Sequence, residues 1–350
     1  MEKLKNLRKY KYFYPILALC IILLYNLIFT PNFFKISIIE GRLYGSLIDI
    51  LHRATPIMLV AIGMTLVIST GGIDLSVGSI VSITGAVVAS LIGGKLALLP
   101  DGTQNYISNY PMAFAIIVAV LSGTICGAWN GILVSKIKIP PIVATLILMV
   151  VGRGIAQLIT NGEIITVYYA PFFFIGNGFL FKIPFTIIIA LIIIIFTIII
   201  TRKTALGLFL ESVGINKEAS RLSGINSNVI LFLSYAFCGF CSAIAGLIVC
   251  SNVKSADANN AGLLFEMDAI LAVVIGGTSL NGGKFYILGT VIGAIIIQTL
   301  TTTIYSTGVP PEITLVIKAI VVFIISLIQS EEFRNFIAKP FVKKGGKLYE

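Results

Sequence analysis

GGIDLSVGS, residues 71–79, decides how this chain is read. It interrupts one strongly apolar run, 56–68, and another follows it, 80–92. A carboxylate (Asp74), the hydroxyls of Thr70 and Ser76, and three glycines stand where a membrane segment is otherwise featureless. Backbone at bilayer depth leaves the helix only where protein or a watery cavity satisfies its polar groups. The stretch therefore marks a pathway or a protein contact. A second break of similar make-up, GGTSLNGGK, stands at 276–284. Two such breaks in one apolar chain point to transport.

The surrounding chain agrees. Its 350 residues are 57% apolar and 11% charged, with a mean hydropathy of +1.01, whereas a soluble domain carries about 25% charged residues. So much apolar surface cannot be hidden in a core, so lipid must take it. The expected class is an all-α, polytopic membrane protein. The first apolar run, 14–30, lacks a small-residue cleavage site and reads as a retained span. The net charge of +10 does not indicate nucleic acid, because it is clustered beside the spans. Lys3, Lys5, Arg8, Lys9 and Lys11 precede the first span, and Arg334, Lys339, Lys343, Lys344 and Lys347 follow the last. Arg202, Lys203, Lys217 and Arg221 occupy the longest polar loop of the second half. Lys/Arg clustering of this kind assigns both termini and the 202–228 loop to the cytoplasm.

A span needs about 20 apolar residues. Runs near 14–30, 54–70, 79–99, 112–135, 141–160 and 184–201 bring the chain back to the cytoplasm at Arg202. Further runs follow at 229–251, 285–305 and 312–330. Parity then requires one more crossing. The candidate is GLLFEMDAILAVVIGG, 262–277, which is short, starts with acids and reads as a broken or re-entrant helix. The expectation is about ten transmembrane helices between a basic tail, 1–13, and another, 331–350, with the membrane body at 14–330. Segments 61–90 and 272–300 also look alike: an apolar run, GG, a leucine four residues on, then a Gly/Ala-studded helix. Repeated halves built around discontinuous helices are frequent in transporters.

The expected role of Asp74 is to N-cap the third span, its carboxylate accepting the free amides near Ser76 and Val77. An intramembrane carboxylate is also a functional candidate in its own right, and a cap at a helix start can organise a gate. Gly71, Gly72, Asp74 and Ser76 of the first break and Gly276, Gly277 and Asn281 of the second are the gating candidates. Asn130 after Trp129, Gln157 with Thr160, and Gln298 with Thr301, Thr302 and Thr303 join them as pathway candidates. Amides and hydroxyls suit an uncharged polyhydroxylated solute. The competing reading is interhelical hydrogen bonding, worth about 0.6 kcal/mol each. Arg153 and Lys318 lie inside spans, with Asp74, Asp268 and Glu312 as possible partners, or snorkel to an interface. In the 202–228 loop, Asn216 can cap a short helix through Leu222 that carries Glu218 and Arg221 at helical spacing, and Gly224 ends it.

Other chemistries are poorly served. The 276–285 stretch fails the phosphate-loop pattern at both ends, with Thr278 for its first glycine and Phe285 after the lysine. The Cys238/Cys241 pair has no companion cluster, and His52 is the only histidine. No metal site, cofactor or catalytic constellation is expected.

Four stretches resemble the permease subunits of bacterial carbohydrate ABC importers, in their ribose-type branch. They are IGMTLVISTGGIDLSVGSIVSITGA (62–86), NGILV (130–134), TALGLFLESVGINKEASRLSGI (204–225) and DAILAVVIGGTSLNGGKF (268–285). GRLYGSLIDILHRATP (41–56), VATLILMVVGRGIAQLITNG (143–162), SADANNAGLLFEMDAILAVVIGG (255–277) and PPEITLVIKA (310–319) further resemble that branch's galactofuranose permeases. Ser220 and Ser223 stand where the family often has alanine. The resemblance implies a multi-pass inner-membrane subunit without enzymatic activity of its own. It would be paired with a second permease, homo- or heterodimeric. Two cytoplasmic ATPase subunits holding ATP and magnesium, and an extracytoplasmic sugar-binding protein, would complete the importer. Gly207, Gly214, Asn216, Glu218, Arg221 and Gly224 would form the ATPase-coupling element. The substrate would be a monosaccharide, of galactofuranose type or ribose or another pentose or hexose. The alternative is a secondary carrier driven by a proton or sodium gradient; the acids at span ends weaken it.

Overall fold

The computed structural model describes residues 13–39, 41–98 and 104–329. Both basic tails lie outside the described residues, apart from Phe13. The chain is a helical bundle whose elements follow the apolar runs. Helices α1 (Phe13–Phe29), α2 (Ser46–Ser69), α3 (Val77–Ile92), α4 (Met112–Ser135), α5 (Pro141–Ile159), α6 (Phe173–Asn177) and α7 (Phe185–Lys203) form the first half. Two short helices follow, α8 (Leu206–Ile215) and α9 (Lys217–Leu222), then α10 (Ser227–Val253), α11 (Phe265–Ile275), α12 (Ile287–Ser306) and α13 (Pro311–Gln329). Among the described residues six helices are long and apolar enough to cross a membrane: α2, α4, α5, α7, α10 and α12.

Most boundaries fall within two residues of the expected runs. Three differ instructively. The second span starts at Ser46, ahead of the expected 54, because the polar side chains of Asp49, His52 and Arg53 fit a helix end as well as a loop. The third ends at Ile92, where Gly93 (φ 46°) and Gly94 (φ 115°) turn the chain. The 262–277 segment forms only an 11-residue helix, α11, about 16 Å long; residues 257–264 lead into it without helix. Short strands of two to four residues also occur in the connections, within the expected all-α class. Four two-stranded sheets pair β1 (Ser37–Ile39) with β2 (Arg42–Tyr44), β3 (Lys95–Leu98) with β4 (Gln104–Ile107), β5 (Ile165–Thr166) with β8 (Ser255–Ala256), and β6 (Phe179–Leu180) with β7 (Ile183–Pro184). All four lie at the end of the bundle opposite α8 and α9, where interhelical connections leave the apolar interior.

Helix α2 is the central post. From Ala54 to Ser69 every residue is buried, enclosed by α10, α11, α12 and α7. Such enclosure needs close-packed helices, and small residues provide the approach. Gly127 on α4 lies against α10, where a Cβ would meet the Tyr235 carbonyl and stand 2.8 Å from the Gly239 Cα. Gly123 and Gly131, one turn to either side, face Ala243 and Phe232 on the same helix. Cys238 and Cys241 are buried against Gly63 of α2, as packing residues.

Glycine at these seams is a packing requirement, which predicts a contrast. Gly127→Ala forces a methyl into backbone, and such overpacking costs about 1–3 kcal/mol. Gly85→Ala on α3 adds an ordinary contact at 3.7 Å from the Cys250 Cβ, and alanine gains about 1 kcal/mol of helix propensity over glycine. Thermal unfolding of the purified protein in detergent should therefore show a lowered Tm for Gly127→Ala and an unchanged or raised one for Gly85→Ala. Equal Tm for the two variants would contradict the packing described.

Candidate gating site

The two breaks, some two hundred residues apart in the chain, touch. Helix α2 ends at Ser69, whose carbonyl accepts the amide of Gly283 at 2.8 Å. Gly71 (φ 79°), Gly277 (φ 88°), Gly282 (φ 85°) and Gly283 (φ 89°) hold left-handed backbone that side chains disfavour. A Cβ on Gly282 would lie 2.9 Å from the Gly71 amide nitrogen, so the breaks meet backbone to backbone. Helix α8 closes the third side. A Cβ on Gly214 would collide with the Ser69 carbonyl oxygen and stand 2.5 Å from the Gly283 amide nitrogen. At the end of α7, Arg202 donates to the Phe285 carbonyl at 2.9 Å, lies over the Phe285 ring and faces Glu211 of α8 at 3.5 Å. The 202–228 loop is thus joined to both breaks by direct contact.

Beyond Gly72 the chain turns back into the bundle. The Asp74 amide faces the Met64 sulfur of α2 at 3.5 Å, so α3 begins well inside the structure. Asp74, Ser76 and Asn130 are fully buried together. Asp74 Oδ1 accepts from the Ser76 amide at 2.9 Å and from the Ser76 hydroxyl at 2.6 Å. Asn130 Nδ2 donates to Ser76 Oγ at 2.8 Å and more weakly to Asp74 Oδ1 at 3.4 Å. The N-cap expectation holds in part: Asp74 accepts the Ser76 amide at the start of α3, although Ser76 itself occupies the cap position and makes no side-chain cap bond. The carboxylate also ties the first break to α4. Two acceptors, Asp74 Oδ2 and Asn130 Oδ1, and one group that can also donate, the Tyr235 hydroxyl, make no hydrogen bond among the described residues. Tyr235 of α10 seats its hydroxyl on Gly72, where a Cβ would strike it.

The other candidates separate. Gly276 is a helix-crossing residue, against Gly289 of α12, while Asn281 is exposed on the second break. Gln298 is buried, its amide 3.4 Å from the Thr302 hydroxyl, away from both breaks. Gln157 lies half-buried and donates to Asn259 Oδ1 at 2.5 Å. Lys318 pairs with Asp268 at 2.6 Å, one of its expected partners. Among the described residues Arg153 pairs with no carboxylate and instead binds backbone carbonyls of the 257–264 segment. The side chain of Glu312 lies outside the described residues.

The coupling stretch has the expected cap. Asn216 Oδ1 accepts the Ala219 amide at 3.0 Å, α9 runs to Leu222, Glu218 and Arg221 pair at 3.1 Å, and Gly224 (φ 85°) ends the turn. Gly207 packs on the Thr201 carbonyl. Helix α8 went unread in the sequence, although LGLFLES has apolar residues at helical spacing. Tyr235 and Met64 gave no signal at all, being apolar residues within apolar runs. Between α9, the start of α5 and the first break opens a cleft of about 900 Å³, lined by Gly71, Gly72, Lys138, Lys217, Glu218 and Arg221. Burial, and then the neighbouring Lys138 ammonium, hold Lys217 below the usual lysine value, with Glu218 pulling the other way.

The sequence profile of the family described as "Branched-chain amino acid transport system / permease component" matches residues 46–326. The galactofuranose transporter permease protein of Escherichia coli K12 is 47% identical over 322 residues, 92% of this chain and 90% of that one. The fructose import permease protein of Bifidobacterium longum, matched over 95% of this chain and 92% of its own, is 40% identical. The ribose import permease protein of Escherichia coli K12 is 34% identical over 91% of this chain and 93% of its own. No solved structure matches.

The buried cluster makes a mutational prediction. Asp74→Asn keeps an Oδ1 acceptor for Ser76, whereas Asp74→Ala strands buried donors at about 1–3 kcal/mol. Asn130→Ala should cost a similar amount, and the double variant less than the sum, because the two side chains share Ser76. Unfolding in detergent measures all four. A loss with Asp74→Asn equal to that with Asp74→Ala would mean that the charge, and not the hydrogen bond, holds the site.

Proposed function

This chain belongs to the family of branched-chain amino acid transport system permease components, and from that premise we propose that it forms the membrane pathway of an ATP-driven monosaccharide importer. Its relatives are named as permeases for galactofuranose, fructose and ribose, and sugar is the substrate class assigned to it here, with galactofuranose first. The polar groups of its interior fit that class: amides and hydroxyls serve a neutral polyol. A second permease, a pair of ATPase subunits that hold ATP and magnesium, and a sugar-binding protein outside complete the machine. This chain itself needs no cofactor. The domain plan is a membrane body at 14–330 between two cytoplasmic tails. The end carrying α8 and α9 faces the cytoplasm, with the bacterial inner membrane as its setting.

The observation that carries this reading is the contact of Gly214 with both Ser69 and Gly283. Helix α9 is six residues long and charged, too short to be stable alone and too polar for lipid. The apolar side chains of Leu208, Ile215 and Leu222 are exposed on α8 and α9, as a docking surface for an ATPase requires. Closure of the ATPases on ATP would push α8 against the junction of the breaks. The first break would then move relative to the second, and the tie from Asp74 through Ser76 to Asn130 would carry the shift into α4. An ion-coupled carrier has no use for such a docking element.

The test is uptake of labelled sugar by membrane vesicles containing the permease with its ATPase and binding protein. Gly214→Val should abolish uptake at unchanged permease abundance while ATP hydrolysis continues. Reversing both charges of the Glu218–Arg221 pair should weaken ATPase docking severalfold, since each exposed pair is worth only about 0.2–1 kcal/mol but the partner surface reads both. Uptake that persists without ATPase and follows a proton or sodium gradient would overturn the proposal. Uptake of leucine in place of any sugar would overturn the substrate class alone.

A further inference from the structure

The segment 257–264 carries polar groups on the protein surface at bilayer depth. It leaves β8 and descends along α3. The Ser82 hydroxyl donates to the Ala258 carbonyl at 2.9 Å, and Gly262 packs on Gly78 in the first turn of α3. At 1.5 Å per residue, Gly262 lies about 20 Å inward from the Ile92 end of that helix. The hydrocarbon core of a bilayer is about 30 Å thick, so this non-helical backbone reaches well into it.

Helix α5 holds the segment in shape. Arg153 Nη1 donates to the carbonyls of Ala258 (3.1 Å), Asn259 (3.2 Å) and Ala261 (2.7 Å). Gln157 Nε2 donates to Asn259 Oδ1. Asp257 Oδ1 accepts the amides of Asn259 and Asn260 at 2.9 and 3.1 Å, and its Oδ2 accepts the Asn260 side-chain amide at 2.7 Å. The knot is ordered, yet Asn259 and Asn260 remain exposed. Elsewhere at depth the chain closes its charges on partners within the protein, as in the Lys318–Asp268 pair and the Asp74 cluster. Non-helical backbone and open amides are tolerated in a membrane only inside protein or beside water. Ala258 and Gly262 are buried against α3, but Asn259 and Asn260 point out of the protein, so that side of the stretch faces water.

We propose that Arg153, Gln157, Asp257, Asn259 and Asn260 form the solute-contacting wall of the pathway, facing the second permease across a water-filled gap. The ligand is a neutral polyhydroxylated monosaccharide, so the assignment rests on the reading of the chain as a sugar permease. The chemistry matches that class. Amide and guanidinium N–H groups donate, amide and carboxylate oxygens accept, and one cation is set against one anion. Arg153 and Gln157 act chiefly as positioning residues, and the Asn259 and Asn260 side chains meet the solute.

Cysteine accessibility tests the wall. Asn260→Cys, Asn259→Cys and Val151→Cys are made in a chain with Cys20 and Cys126 replaced by serine, assembled with its partner subunits in membrane vesicles. Val151 is 51% exposed, stands about half a turn round α5 from Arg153, and serves as the lipid-facing reference. A thiol in water ionises, and one in an apolar setting does so far less. The impermeant reagent MTSET should therefore react with the two wall cysteines at least about tenfold faster than with Val151→Cys. Excess D-galactose or D-ribose, added with ATP and the binding protein, should slow that reaction, and Asn260→Ala should raise the KM for uptake severalfold with membrane abundance unchanged. Labelling of Asn260→Cys as slow as Val151→Cys, in vesicles that still import sugar, would overturn the wall and leave the permease reading intact. Fast labelling that neither sugar slows, in vesicles that import neither, would remove the sugar as ligand and with it the proposal.

Discussion

One carbonyl oxygen, that of Ser69, sets much of the architecture. It is the last acceptor of α2, and a helix end buried in a membrane protein must find a donor for it. The donor is the amide of Gly283, brought there by the second break. Meeting that need fixes how α11 and α12 stand against α2, and it leaves so little room that only glycine fits at 214. The lowest point of the first break, the second break and the soluble helix α8 thereby become one rigid contact. A push on any of the three is felt by the other two, because backbone against backbone has no flexible side chain to absorb it.

The same rule, that polar backbone must not face lipid, explains the interrupted helices at both ends. Residues 70–76 fold back into the bundle from the α8–α9 end, and 257–264 descend into it from the opposite end. Each is followed by a helix, α3 or α11, shorter than a full span. The two leads are tied differently. The first is sealed within the protomer by Asp74, Ser76 and Asn130, all fully buried. The second is laced to α5 by Arg153 but left open to its surroundings. A sealed lead suits a joint that transmits movement, and an open one suits a surface that meets solute.

The sequence by itself determined the class of the protein, most helix boundaries, the two breaks, and the cap and charge pair of α9. Each of these rests on local physics: runs of apolar residues matched to bilayer thickness, glycines that free the backbone, and an Asn three residues before the amide it caps. The family follows from the same motifs, because the residues that make the breaks are also the ones that mark it. What only the tertiary structure decided is which distant groups meet. Asp74 reads as a helix cap from its neighbours alone, yet its carboxylate also reaches toward Asn130, 56 residues on. Arg153 looked for an acid and found three carbonyls, because 257–264 arrives beside it as bare backbone needing donors. Tyr235 is indistinguishable in sequence from any other aromatic in an apolar run, and its seat on Gly72 depends on how α10 crosses α2. Local sequence reports periodicity and conformational freedom, whereas pairing between helices is set by the packing of small residues at their crossings, and no single stretch of chain contains both sides of a crossing.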